Sequence, residues 1–178
     1  MSEARGKRFY GCLFCLTGEE NEVIAQLKKR FDMPIISPVR QHYFRRKGEL
    51  SIVEDKVFPG YLFFATEDPE LPVKELEKLD GVIRLLRYDA EEWILSGEDV
   101  QMVEEFFRNN GVIGLSRGRF VDGRLQIIEG FLKPYEKDIL KVDRRHNAAM
   151  IKMKLNNREV ELWLGYELVD EEQKSDDD

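Results

Sequence analysis

The feature that most constrains this 178-residue chain is the stretch Val57-Phe58-Pro59-Gly60-Tyr61-Leu62-Phe63-Phe64-Ala65. Five of the seven positions from Phe58 to Phe64 are aromatic or leucine, interrupted only by Pro-Gly. A run this short and this apolar reads as a buried strand rather than a helix. Strand periodicity sets Phe58, Leu62 and Phe64 on one face and Tyr61, Phe63 and Ala65 on the other. Both faces are apolar, so one needs a core beneath it and the other a second layer or a partner.

The elements on either side suit a small sheet with helices. Arg8 to Leu16 reads as a first strand. Thr17-Gly18-Glu19-Glu20 has the form of a capping box, and the helix after it carries Val23, Ile24, Leu27 and Phe31 on one stripe. Gln41–Lys47 and Glu49–Val53 form a hairpin with Gly48 at its tip, beside Arg45, Arg46 and Lys47. Val73, Leu76 and Leu79 mark a second helix closed by Gly81, and Val82–Tyr88 is a strand. Ser96 is the expected cap of a third helix with the stripe Val100, Val103, Phe106 and Phe107. The elements close by about residue 110.

Beyond that point the pattern changes. Gly111, Gly114, Gly118 and Gly123 punctuate a stretch expected to be a linker, 111–122. Short strands follow at roughly ten-residue spacing: Arg124–Glu129, Lys137–Asp143, Ala148–Leu155 and Glu159–Trp163. That spacing points to a small β-barrel over 123–170. Residues 171–178 are acidic and expected to be disordered. The fold class expected is α+β, an N-terminal antiparallel sheet with flanking helices over 8–110 followed by the barrel.

Charge is unevenly distributed. The net charge is −7, yet between 117 and 158 eleven Lys and Arg stand against five Asp and Glu, a net of +6. A basic block inside an acidic chain favours local attraction to a polyanion. Its candidate contacts are Lys133, Lys137, Lys141, Arg144, Arg145, His146, Asn147 and Lys152, centred on the turn Asp143-Arg144-Arg145-His146-Asn147. Arg and Lys can neutralise phosphates, and His146 and Asn147 can bond base edges of a looped strand.

Other chemistries find little support. Cys12-x-x-Cys15 has no second pair, and a spacing of three on a strand sends the two thiols to opposite faces. A metal site, a cofactor site and a redox role are therefore not expected. No nucleophile–base set stands out, and no catalytic residue is nominated. No apolar run reaches the about 18 residues of a membrane span. With only two cysteines, a reducing, cytoplasmic setting is expected; no membrane partner is expected, and a monomeric state is.

The order of these motifs resembles a known family. Lys7-Arg8-Phe9-Tyr10 to Gly18, the helix, Val57-Phe58-Pro59-Gly60-Tyr61-Leu62-Phe63 and Gly81-Val82-Ile83-Arg84-Leu85-Leu86 resemble the N-terminal domain of NusG-type transcription elongation factors. Leu125 to Lys133 and Ile139 to Asp143 resemble the family's KOW domain, an SH3-like barrel. The Val-Asp-Arg-Arg turn, the Asn-Arg-Glu-Val-Glu-Leu ending and the Arg-Arg-Lys-Gly hairpin resemble specialised paralogues of the LoaP antiterminator type.

The resemblance implies docking on the clamp helices of the largest subunit of bacterial RNA polymerase through Phe14, Phe58, Pro59, Tyr61 and Phe63. It implies a structured leader RNA as the partner of the KOW domain. Arg84 and Arg87, or the hairpin tip Arg45, Arg46 and Lys47, are weaker candidates for DNA near the transcription bubble. Two rivals remain open: a general elongation factor whose KOW domain binds a ribosomal protein or a termination factor, and a ribosome-associated RNA-binding module. Two departures stand out. Gly11 replaces the second of two aromatics at the first strand, and Pro134 and Lys137 stand where the KOW loop carries glycines.

Overall fold

The structure is a computed structural model and describes residues 6–169. The acidic tail expected at 171–178 lies outside the described residues. The chain divides into two compact units. The first comprises residues up to 39, 56–112 and 154–158. The second comprises 40–55, 113–153 and 159 onward. The expected α+β class is what the elements form.

In chain order these are β1 Phe9–Cys15, α1 Glu20–Arg30, β2 Ile35–Ile36, β3 Val39–Arg46, β4 Glu49–Lys56, β5 Tyr61–Thr66, α2 Val73–Leu76, β6 Val82–Leu85, α3 Glu98–Arg108, β7 Val112–Ile113, β8 Ser116–Val121, β9 Arg124–Glu129, a 3-10 helix Lys133–Asp138, β10 Ile139–Asp143, β11 Ala148–Leu155 and β12 Arg158–Leu168.

The first unit is built on a four-stranded sheet in the order β2-β5-β1-β6. Strand β1 is antiparallel to both β5 and β6, with Leu13 opposite Leu62 and Leu85. One face carries Leu13, Cys15, Leu62, Phe64 and Leu85 into a core with Val23 and Leu27 of α1 and with Leu76, Leu79 and Trp93. The expected α1 stripe is correct: Val23 and Leu27 are buried, and Ile24 and Phe31 pack against the core. Gly11 explains its own presence here. A Cβ at this position would lie 2.2 Å from Phe64 Cζ. Without one, the Phe64 ring fits over the strand and stacks on Trp93, with centroids 5.6 Å apart.

The other face is covered by α3. Phe106 meets Phe63 with ring centroids 5.8 Å apart, and Phe107 meets Tyr10 at 5.6 Å. Here the expected strand needs correction. The strand begins at Tyr61, and Phe58-Pro59-Gly60-Tyr61 is a turn closed by the Tyr61 N–H donating to the Phe58 carbonyl at 3.0 Å. Pro at the second place and a glycine at φ +83° in the third follow a type II pattern. The turn brings Phe58 to the Phe63–Phe106 side, away from Leu62 and Phe64. Period-2 reasoning fails at Phe58 because that residue precedes the strand.

Glu20 secures this turn. Its side chain is buried, yet Oε1 accepts the Gly60 N–H and Oε2 the Gly18 N–H, each at 2.8 Å. Burial alone would push this carboxyl upward. The N–H groups of Gly60, Glu20 and Gly18, with Lys56 nearby, outweigh it and hold the carboxyl below its usual range. The expected capping box is therefore corrected. Helix α1 starts at Glu20 with no side-chain cap, and Glu20 reaches Gly18 and Gly60 rather than Thr17. Ser96 is likewise not the cap of α3: Gly97 holds that position, and the Ser96 N–H donates to the Tyr88 hydroxyl.

The second unit contains a five-stranded sheet, β10-β11-β12-β8-β9, and the hairpin β3–β4. Two-residue turns with positive φ join β3 to β4 at Lys47-Gly48 and β8 to β9 at Asp122-Gly123. The stretch 111–122, expected as a linker, carries β7 and β8. Strand β8 pairs with β9 and runs parallel to the end of β12. Its glycine serves close approach rather than flexibility: a Cβ at Gly118 would lie 2.9 Å from the Gln126 carbonyl oxygen. The strand expected from Lys137 begins two residues later, at Ile139, after the 3-10 helix that opens with Pro134 near its start.

Gly11→Ala should lower unfolding stability by about 1–3 kcal/mol through overpacking against Phe64, measured by urea denaturation. A second change, Phe64→Leu, should recover part of that loss by removing the ring the new methyl strikes. Glu20→Gln should cost about 1–3 kcal/mol, since an amide supplies one acceptor oxygen for two N–H groups, that of Gly60 buried. Because the folded Glu20 carboxyl lies below its unfolded value of about 4.3, its contribution is complete above that pH. It is lost as pH falls through the folded value. The stability gap between wild type and Glu20→Gln should accordingly stay flat from neutral pH to about pH 5 and narrow below about pH 4.

Candidate functional site

The glycine turn sets the open end of the first unit's sheet. A Cβ at Gly60 would lie 2.9 Å from both the Cys15 carbonyl oxygen and Phe14 Cε2, so only glycine lets the turn close on β1. The Cys15 N–H donates to the Gly60 carbonyl at 2.8 Å. With the turn held there, Tyr61 of β5 stands opposite Phe14 of β1, and Phe14 stands opposite Arg84 of β6. The result is a row across three strands. The Tyr61 and Phe14 rings lie 5.0 Å apart, and the Arg84 guanidinium lies 6.0 Å from the Phe14 centroid.

The five residues expected to form one docking pocket differ sharply in exposure. Phe14 and Tyr61 are half-buried and Pro59 is exposed. Phe58 and Phe63 are buried under α3, at 4% and 0% exposure, so they support the surface from within rather than form it. Leu16, just beyond the row in sequence, is an exposed apolar side chain at 48%. An aromatic pair flanked by a proline, a leucine and a cation suits the apolar and acidic side chains of a protein partner.

The two residues expected to contact DNA also separate. Arg84 is exposed beside Phe14. Arg87 spends both terminal guanidinium nitrogens on the Glu77 carboxylate at 2.9 Å, which holds Glu77 below its usual range. The cysteines are buried in the sheet. Burial, reinforced by Glu20 and Glu19, pushes the Cys15 thiol up to about 11, and Cys12 is also raised well above the ordinary value. Neither suits a reactive thiolate. Cys15 joins the α1-side core while Cys12 lies opposite Phe63, in line with the expected opposition of faces.

In the second unit the basic turn is ordered by Asp143. Its Oδ1 accepts the N–H groups of Arg145 and His146, and its Oδ2 lies 2.7 Å from His146 Nδ1. His146 and those N–H groups keep the Asp143 carboxyl below its usual range. Asn147 has φ +48° and its carbonyl accepts the Tyr166 N–H at 2.8 Å, so its backbone shapes the turn. Lys133 donates to the Ile127 carbonyl and pairs with Glu136, and Lys152 lies 3.5 Å from Glu159. Arg144 lies over the Phe120 ring at 4.0 Å and donates to the Gly123 carbonyl at 2.8 Å. Lys137, Lys141 and Arg145 are exposed and form no ion pair among the described residues.

Sequence reasoning missed Glu20, Phe120 and Arg124. Glu20 had a signal, a capping pattern, but its true partner lies 40 positions away. Phe120 and Arg124 flank the Asp122-Gly123 turn, whose sequence is a hairpin signal. Among the described residues, no helix is long and apolar enough to cross a membrane, and no group of three or more His, Cys, Asp or Glu could hold a metal ion.

Comparison with known proteins places this geometry. The family model described as "Transcription termination factor nusG" matches residues 8–104. No curated protein matches the chain. Among solved structures, NusG of Thermotoga maritima, reported in a study of its domain interaction, is similar over 89% of this chain and 94% of that one. The identity is 15% and the TM-score 0.52, a likeness of fold. With the matched residues spanning more than half its length, and the sheet, the Phe-Pro-Gly-Tyr turn and the strand-rich second part in place, the chain belongs to the NusG family of transcription factors.

Proposed function

We propose that this protein is a non-catalytic processive antitermination factor of the LoaP type. In this reading residues 8–110 dock on the clamp helices of bacterial RNA polymerase, and residues 123–170, acting as a KOW domain, contact structured leader RNA. The observation that carries the first half is the row Tyr61–Phe14–Arg84 with exposed Pro59 beside it. The row is pre-ordered by the Glu20–Gly60 contact and α3, so docking costs little conformational entropy. The second half is supported by the net +6 of 117–158 and by exposed cations, Lys137, Lys141 and Arg145 among them, that form no ion pair among the described residues. Arg84 faces the same surface as Phe14 and is available to a DNA phosphate or a polymerase carboxylate.

The rival in which the second part binds a protein predicts a different outcome in the same experiments. Tyr61→Ala and Phe14→Ala should each weaken binding to RNA polymerase core enzyme about tenfold or more, the loss usual for a central aromatic contact. RNA binding should be unaffected. Unchanged polymerase affinity in both variants would remove the row from the interface. Arg145→Ala and Lys141→Ala should each reduce the slope of log affinity against log salt for a hairpin RNA by roughly 0.7–0.9. A slope that does not move in either variant, with polymerase binding intact, favours the protein-binding rival.

A further inference from the structure

The turn Asp122-Gly123 and the segment from the 3-10 helix to the basic turn enclose a groove of about 420 Å³. Its lining includes the apolar side chains Phe120, Leu125 and Val142, and three cations from three separate segments: Arg124, Lys137 and Arg144. Glu136 also lines it; its Oε2 accepts from the Ile127 N–H and from Lys133. Arg124 and Lys137 have no ion pair among the described residues. The Arg144 guanidinium is already fixed in place, stacked on Phe120 and tied to the Gly123 carbonyl. The Tyr166 ring meets Phe120 edge-on with centroids 6.3 Å apart, and its buried hydroxyl has no hydrogen-bond partner among the described residues.

We infer that this groove is a binding site for one unpaired nucleotide of an RNA, with its base on the Phe120–Arg144 platform and its flanking phosphates on Arg124 and Lys137. The inference rests on the reading of this part as the RNA-binding part, and it names which unit of the RNA is held. The volume is that of a site for a single small group. An aromatic ring bearing a stacked guanidinium beside two further cations is an arrangement that binds a single strand through its base faces and phosphates. Charge complementarity settles the sign of the occupant, and the apolar floor requires that it carry a flat, poorly hydrated face as well.

The test uses the full chain with two probes: a ten-nucleotide single-stranded oligouridine RNA and a blunt ten-base-pair RNA duplex, titrated across a range of salt. The single strand should bind more tightly than the duplex. Arg124→Ala and Lys137→Ala should each lower its affinity several-fold and reduce its salt slope by roughly 0.7. Phe120→Leu should lower the affinity fivefold or more with little change in slope, since it removes stacking and no charge. Thermal unfolding of each variant separates loss of the site from loss of the fold, and Arg124, an exposed hairpin residue, keeps the test sharp should Phe120→Leu destabilise.

Equal binding of strand and duplex overturns the inference. So does an Arg124→Ala and Lys137→Ala pair that binds the strand as wild type does while Arg145→Ala binds it weakly; that outcome leaves RNA binding by this part standing. No binding of either probe by wild type overturns the inference, and no binding of the hairpin RNA as well overturns both readings. A gain in strand affinity when Asp176, Asp177 and Asp178 are changed to Asn, absent when Arg124→Ala is added, assigns the groove to the chain's own acidic end and also overturns the inference.

Discussion

A single buried carboxylate underlies the open end of the first unit's sheet. Glu20 accepts N–H bonds from Gly60 and Gly18, so the first turn of α1 is tied to the turn before β5 and to the end of β1. Burying a charge is costly unless its hydrogen bonds are made, and these N–H groups more than offset that cost. The Gly60 N–H is itself a donor that would otherwise be buried unpaired. The contact therefore does two things together: it allows Gly60 to sit against the backbone of Cys15, and it sets Tyr61 opposite Phe14. Phe58 and Phe63 add to this from below, packed on Phe106.

The same logic of committed and uncommitted groups sorts the charges. Arg87, Lys133 and Lys152 face carboxylates, and His146 is held by Asp143. Arg84, Lys137, Lys141, Arg145 and Arg124 are exposed without such partners among the described residues. A cation already paired must break that contact before meeting a phosphate, whereas an unpaired one gives up only water and counterions. The basic block thus divides into charges that hold the turn and strands together and charges that remain for a ligand. Arg144 belongs to both groups, since it orders the Gly123 turn while presenting its outer face.

Much of this was legible in the amino-acid order. The α1 stripe, the hairpin at Lys47-Gly48, the opposed cysteines and the α+β class all follow from local periodicity and turn chemistry, which act over a few residues. What failed did so where a distant partner overrode a local pattern. Thr17 to Glu20 reads as a capping box, yet Glu20 finds Gly60. Gly114 and Gly118 read as linker residues, yet Gly118 lies in a strand pressed on Gln126. Phe58 reads as strand, yet the Pro-Gly turn follows it.

The sequence by itself determined that the Phe58–Phe64 stretch is apolar on every side, that the positive charge gathers between 117 and 158, and that the motifs run in the order of one family. Those properties are composition and spacing, which need no coordinates. Only the tertiary structure decided which aromatic side chains face outward. That choice depends on where α3 lies and on how β1, β5 and β6 are registered, both set by contacts between residues far apart in the chain. It also brought Phe120, Arg124, Lys137 and Arg144 around one groove, because the turn after β8 and the segment after β9 meet only once the strands have paired.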